Sequence, residues 1–237
     1  MSLIQVSDLT FAYDGSYDNI FEHASFSFDT SWRLGFTGRN GRGKTTFLRL
    51  LCGAYPYRGT ISASVDFDYF PRTVRDPAQS TLEVLESLCD APAWRLLREL
   101  NLLELDEDAL YRPFFTLSNG EQTRALLAAL FLGENRYLLI DEPTNHLDLQ
   151  GRALVSRYLQ TKRGFLLVSH DRAFLDGCVD HILSINRTSI EVCSGDFSTW
   201  WENRERQEQF ERTQNERLRQ DIRILEAAAQ QSGRWAG

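Results

Sequence analysis

Hydrophobic and polar positions change their period several times along this chain. Phe26 and Phe28 alternate with Ser25, Ser27 and Asp29, and a period of two marks a strand with one wet face. Leu3, Ile4 and Val6 open an earlier strand, so residues 2–36 read as short strands, with Asp14-Gly15 as a turn signal. Leu34-Gly35-Phe36-Thr37 is short and apolar enough to be a strand of its own. Thr45 to Leu51 then takes a helical pattern, with Phe47, Leu48, Leu50 and Leu51 apolar, until Gly53 and Pro56 end it. Thr60 to Phe67 alternates again and reads as one strand leading to Tyr69-Phe70-Pro71. From Ser80 to about Leu105 the pattern is helical. Ser80 or Thr81 can cap it, Leu82, Leu85 and Leu88 lie along one face, and Pro92 restarts a second helix. Residues of about 80–118 therefore read as a small helical subdomain.

Leu117-Ser118-Asn119-Gly120-Glu121-Gln122 opens another helix, running through Leu132. Ser118 is placed as its N-cap, and Glu121 stands three residues on, the spacing of a capping box. Tyr137-Leu138-Leu139-Ile140 reads as a buried strand that delivers Asp141-Glu142 at its C-terminal end. Phe165-Leu166-Leu167-Val168 delivers Ser169-His170-Asp171 in the same way. Sites gather at that end of parallel strands. From 197 onward the character changes. Trp200 and Trp201 precede Glu202 to Arg223, rich in Glu, Arg and Gln and free of Gly and Pro, and residues 201–237 hold seven Arg against seven Asp and Glu. Leu218, Ile222 and Leu225 give it a thin apolar stripe at i, i+4, i+7. This is a charged helix with one narrow seam, either extended or folded back on the domain. The sequence reaches Ala236-Gly237 without a clear stop signal, as expected of a piece of a longer protein.

Composition narrows the class. The 237 residues are 42% hydrophobic, enough for a core, and a net charge of −7 excludes a chain that binds polyanions as a whole. Cys52, Cys89, Cys178 and Cys193 are scattered with no C-x-x-C pair, which points to reduced thiols and a cytoplasmic address. The N-terminus lacks the basic and apolar regions of a signal peptide. The longest apolar run, Ala125 to Leu132, falls far short of the ~18 residues of a membrane span. His23 has no partner pattern and reads as structural.

The chemistry gathers on Gly38-Arg39-Asn40-Gly41-Arg42-Gly43-Lys44-Thr45-Thr46, which fits G-x-x-x-x-G-K-[ST] between a strand and a helix. Glycines let backbone N–H groups turn inward around an anion, and the helix N-terminus adds donors and a positive dipole end. Lys44 supplies a point charge for β- and γ-phosphates, and the Thr45 hydroxyl can ligate Mg²⁺. Tyr13, upstream of this loop, is a candidate to stack on a base or an ordinary surface tyrosine.

Together these motifs resemble those of an ATP-binding cassette (ABC) domain over nearly the whole chain. Gly38–Thr45 is similar to the Walker A loop, Leu117–Gln122 to the ABC signature, Leu138–Glu142 to Walker B, and Ser169–Asp171 to the switch-histidine motif. Tyr13 sits where the family has its adenine-stacking aromatic. Asp141-Glu142-Pro143-Thr144-Asn145-His146-Leu147-Asp148 resembles the DEPTNHLD run of ABC-F proteins, where exporters and importers usually read DEPTSALD. Ser194-Gly195-Asp196-Phe197-Ser198 resembles the entrance to the ABC-F interdomain linker, and the opening through Thr46 resembles the antibiotic-resistance branch of Lsa type, which protects ribosomes. Two positions depart from the pattern. Arg72 stands where most cassettes have the Q-loop glutamine, and Asn119 where the signature usually has glycine.

The resemblance implies an α/β P-loop NTPase: a RecA-like core, an antiparallel β subdomain and a small helical subdomain within residues 1–196, then the start of a linker helix at 197–237. It implies ATP and Mg²⁺ as cofactors. Residues 38–46 and Tyr13 would hold the nucleotide. Thr45 and Asp141 would serve the metal, Asp141 through water. Glu142 would polarise the attacking water, and His170 would contact the γ-phosphate. Ser118 and Gly120 would complete a site on a second cassette, in the same parent chain or a head-to-tail dimer. The linker would meet ribosomal RNA.

The competing readings are the ATPase subunit of a membrane transporter, or an ABC-F translation factor unconnected with resistance. A nucleotide-dependent assembly module without turnover predicts loss of Glu142 or His170, and both are present. A repair ATPase of coiled-coil type would interrupt the cassette, which here is continuous.

Overall fold

The computed structural model describes residues 2–16, 18–38, 41–185 and 190–234, with backbone alone at 211, 221 and 223–234. It divides into two units, Met1–Phe197 and Ser198–Gly237. In chain order the strands are β1 (Leu3–Phe11), β2 (Phe21–Asp29), β3 (Arg33–Gly38), β4 (Arg58–Ser62), β5 (Asp66–Phe70), β6 (Arg136–Asp141), β7 (Phe165–Val168), β8 (His181–Ile185) and β9 (Ile190–Ser194). The helices are α1 (Lys44–Leu51), α2 (Thr81–Glu86), α3 (Ala93–Leu102), α4 (Glu107–Tyr111), α5 (Asn119–Leu130), α6 (Leu149–Gln160), α7 (Arg172–Cys178) and α8 (Phe197–Arg234).

The strands form two sheets. The smaller is antiparallel, in the order β2-β1-β4. In β1 the buried positions switch phase, from Ile4 and Val6 to Leu9 and Phe11. A shift of register between Val6 and Leu9 accommodates the switch, because an extra residue in one strand resets which face the next side chains meet. The larger sheet runs β5-β6-β7-β3-β8-β9. Its first five strands are parallel, and β9 returns antiparallel to β8. All four residues of β7 are buried. That is the continuous apolar run expected of a parallel strand covered on both faces.

A core of Ile4, Val6, Phe28, Leu48, Leu139 and Leu166, among others, joins residues of the two sheets and α1. Phe47 lies within it, fully buried, with the rings of Phe21, Phe26 and Phe36 centred 5.4–6.0 Å away. The core thus grips the helix that follows the phosphate loop.

The alternating stretch 60–67 is not one strand. Arg58–Ser62 belongs to the antiparallel sheet and Asp66–Phe70 to the parallel one. Ile61 in β4 and Phe67 in β5 are each partly covered beside an exposed neighbour, so the alternation runs on across the break between sheets. The helical insertion begins as expected. The Ser80 side chain accepts from the Glu83 N–H, Glu83 accepts from the Ser80 N–H at 3.0 Å, and Pro92 precedes α3. A further helix, α4, lies beyond the expected pattern. The two ends of the insertion meet where the Thr81 N–H donates to the Arg112 carbonyl at 2.9 Å. Helix α3 is tied back to the core through buried Glu99, which pairs with Lys162 and accepts from the Tyr158 hydroxyl at 2.8 Å. Helix α5 ends at Leu130, two residues before the expected Leu132.

Helix α8 spans 38 residues. Its i,i+4 pairs include Glu202 with Arg206 at 3.3 Å and Arg204 with Glu208 at 3.1 Å. Leu218 and Ile222 of the expected seam are more than half exposed, and the Leu225 side chain lies outside the described residues. Among the described residues, no helix is long and apolar enough to cross a membrane.

Truncating Phe47 should remove the central contact between α1 and the sheets. Phe47→Ala is expected to lower the free energy of unfolding by about 3–5 kcal/mol. In a urea titration this would appear as a lower midpoint with an unchanged slope.

Candidate nucleotide site

The loop between β3 and α1 ends on Gly43, which caps the helix at φ 92°, ψ 16°. A Cβ there would collide with Ile20. Conformation and space therefore both require glycine, and the turn presents Lys44 as the first residue of the helix. Lys44 is buried, and its Nζ donates to the Gly38 carbonyl at 2.9 Å. Burial lowers its pKa, while the Glu142 and Asp141 carboxylates oppose that shift. The Thr45 Oγ1 donates to Asp141 Oδ2 at 2.8 Å, joining the helix start to the end of β6. Thr46 Oγ1 shares a hydrogen bond of 2.9 Å with the Tyr13 hydroxyl. The Tyr13 ring is 41% exposed and rests edge-on against Phe11 and Tyr55, centroids 5.1 and 5.5 Å away. Gly41 adopts φ 76°, and Arg42 is half-buried. Arg39 and Asn40 lie outside the described residues.

The chain turns sharply after β6. Glu142 occupies the left-handed region, φ 50°, ψ 55°, and its N–H donates to the Val168 carbonyl at the end of β7. A non-glycine residue there is held against its own preference, as happens where a side chain must be aimed. His170 follows β7. Its N–H donates to Glu142 Oε2 at 3.3 Å, and its Nε2 lies 3.2 Å from Glu142 Oε1. That second approach lacks hydrogen-bond alignment, so Oε1 is a buried acceptor without a hydrogen-bond partner among the described residues. Burial raises the Glu142 pKa, and the His170 ring and N–H and the Lys44 charge pull it back. Asp171 serves a different purpose: it caps α7, accepting from the Phe174 N–H at 3.1 Å, and pairs with Arg152.

The expected site residues thus fall into two places. Gly38, Lys44, Thr45, Asp141, Glu142 and His170 converge where β3, β6 and β7 end. Ser118 and Gly120 open α5, where Ser118 accepts from the Glu121 N–H and Glu121 from the Ser118 N–H. They line a cleft of about 660 Å³ with Asp148 and Gly151, to which none of the described residues of the phosphate loop contributes. A neighbouring cleft of about 500 Å³ is lined by Arg72, Asn119, Asp141 and Glu142. Arg72 itself is turned back, donating to buried Asp68 at 3.0 Å.

One hydroxyl escapes the motif reading. Tyr69 donates to Asp141 Oδ2 at 2.9 Å, the oxygen that Thr45 also reaches. Burial and the Asp141 charge hold the phenol well above its usual pKa, so it remains a donor. Its only signal in the sequence is an aromatic residue two places before Pro71 at a strand end.

The donor set suits a hard divalent cation. Mg²⁺ takes one or two carboxylate or hydroxyl oxygens and fills the rest with phosphate and water. Thr45 and Asp141 offer that, and no cluster of three or more His, Cys, Asp or Glu occurs among the described residues to suit a thiolate- or imidazole-loving metal.

The profile of the ABC transporter family matches residues 21–145. The chain is 31% identical to the ribosome protection protein VmlR of Bacillus subtilis over 86% of its length and 38% of that protein's. It is 29% identical to the energy-dependent translational throttle protein EttA of Haemophilus influenzae, over 88% of this chain and 46% of that one. It is 30% identical to ABC transporter F family member 3 of Arabidopsis thaliana, over 82% and 28%. Among solved structures, a chain of an inward-facing ABC transporter of metal-chelate type superposes with a TM-score of 0.67 at 23% identity, covering 81% of this chain and 83% of that one. That last likeness concerns the fold. The chain belongs to the ABC family of ATP-binding cassettes, and these relatives align it with the ABC-F members. It spans less than half the length of each of the three relatives.

The raised Glu142 pKa carries a stability consequence. A carboxyl whose folded pKa exceeds its unfolded value costs stability while ionised, and the cost fades as pH falls through the folded pKa. Glu142→Gln should therefore raise the thermal unfolding midpoint at neutral and higher pH. The gain should vanish below about pH 4, where glutamate is protonated in both states. Calorimetry across that range checks it.

Proposed function

We propose that this chain binds Mg²⁺-ATP at the ends of β3, β6 and β7 and hydrolyses it as one cassette of an ABC-F protein. The observation that carries the reading is Glu142. Its carboxylate is aimed by a left-handed turn, flanked by His170, and left with a buried oxygen free to accept, next to Asp141 on its Thr45 tether.

Each residue then has a role. Lys44 Nζ exchanges the Gly38 carbonyl for phosphate oxygens, and Gly41, Gly43 and the first N–H groups of α1 surround them. Tyr13 offers a face to the base, its hydroxyl fixed by Thr46. Thr45 and Asp141 would hold Mg²⁺, which would neutralise charge on the phosphate oxygens. Glu142 orients water through Oε1 and takes its proton, its raised pKa matching the task. His170 steadies Glu142 and reaches toward the γ-phosphate.

Ser118 and Gly120 line a separate cleft, which supports the reading that they serve the nucleotide of a second cassette. Ribosome binding is supported by the likeness to VmlR, a ribosome protection protein, and to EttA, a translational throttle protein. Within it, we favour ribosome protection against antibiotics, on the likeness of the first 46 residues to the Lsa-type branch. Residues 197–237 would begin the interdomain linker, with arginines placed to meet RNA phosphates. A cytoplasmic address follows from that partner.

Glu142→Gln is the direct test. ATP binding, followed with a fluorescent analogue, should persist. Phosphate release should fall by about 10²–10⁴-fold, the usual share of a general base. An unchanged rate would remove Glu142 from this role.

A further inference from the structure

Tyr69 is the fourth residue of β5, level with Leu139 of β6. From there its hydroxyl reaches forward to Asp141 Oδ2 at 2.9 Å. The same oxygen accepts from Thr45 Oγ1 at 2.8 Å. Two donors from two elements, α1 and β5, thus hold the same oxygen, and neither of them bonds Oδ1. Thr45 has a competing duty, since its oxygen would also engage the metal. Tyr69 has none.

Arg72, three residues further on, cannot share this duty. Although it lines the cleft beside Asp141 and Glu142, its guanidinium is bound to Asp68 Oδ1 at 3.0 Å. The other Asp68 oxygen accepts from Arg136 at 2.7 Å. Asp68 is 6% exposed, so both ion pairs are anchored on a carboxylate that has little access to water. Successive residues of a strand face opposite ways. Asp68 therefore draws the two guanidinium groups to one side of β5, while Tyr69 serves the other. A cation at 72 has no lone pair for a metal and would repel one, so holding it on Asp68 removes an obstacle and leaves the metal's orienting contact to be supplied from elsewhere.

We propose that Tyr69 is a positioning residue for the divalent cation, its hydroxyl locking Asp141 in the orientation the metal needs. This rests on the reading above that Mg²⁺-nucleotide binds between Thr45 and Asp141. Groups that orient a metal-binding carboxylate typically change metal affinity by about 10–100-fold when removed.

The test separates metal from nucleotide. Binding of a fluorescent ATP analogue is measured in EDTA and then across a Mg²⁺ titration, for the unsubstituted chain and for Tyr69→Phe, which removes only the hydroxyl. The expected result is equal affinity in EDTA and a Mg²⁺ half-saturation raised about 10-fold in the variant. Equal half-saturation overturns the inference. A parallel loss in EDTA and in Mg²⁺ also overturns it, since a merely structural role would lower both. Should the unsubstituted chain bind the analogue without any response to Mg²⁺, the site reading itself fails, before the variant is compared. A second measurement does not depend on the variant folding: with 3-fluorotyrosine at position 69, the fluorine resonance should move when Mg²⁺ joins the bound analogue. A resonance that stays in place contradicts the proposal.

Discussion

The carboxylate of Asp141 is the point on which the rest depends. It is nearly inaccessible to water, yet it stands at the end of a strand whose neighbours on both sides also end there. A buried carboxylate is costly unless hydrogen bonds satisfy it. Here the donors come from the first turn of α1 and from β5. Satisfying one charge thereby joins the start of α1, β6 and the edge strand β5 at a single oxygen. The geometry of the candidate site follows from that junction. Glu142 is the next residue, and the turn that aims it is closed by an N–H bond to β7. His170 arrives at the end of the same β7.

The core explains why those strand ends stay together. Phe47 and Leu48 are fully buried beneath the loop, against rings contributed by β2 and β3. The helix is therefore held in place: it cannot shift without opening the aromatic cluster. The helical insertion is attached differently. Its ends meet at Thr81 and Arg112, and a buried Glu99 links it to Tyr158 and Lys162. Such a buried charged link contributes little net stability but is costly to break on one side only. It sets the position of α3 against the core, and with it the surroundings of the α5 start that carries Ser118 and Gly120.

What could be read from the residues alone was what contiguous residues determine. The helix at 44–51, the caps at Ser80 and Ser118, and the buried strand at 165–168 each have their determinants within a few positions, and each forms where the pattern places it. Failures occur where the deciding partner is distant. The alternation from Thr60 to Phe67 cannot show that its two halves join different sheets, because that depends on β1 and β6. Helix α4 is a single short turn, too brief for periodicity to register. Arg72 can be seen in the sequence, but its pairing with Asp68 and Arg136 cannot, since Arg136 lies 64 positions away. Tyr69 was missed for the same reason: a tyrosine before a proline carries no motif, and its meaning lies in an oxygen 72 residues on.

A crystal structure of the Glu142→Gln protein with ATP and Mg²⁺ tests the account most directly. It should show Lys44 Nζ released from the Gly38 carbonyl and bound to phosphate, the metal between Thr45 Oγ1 and the Asp141 side, and Tyr69 still on Asp141. A nucleotide bound elsewhere, or a metal held without Thr45 and Asp141, would contradict it.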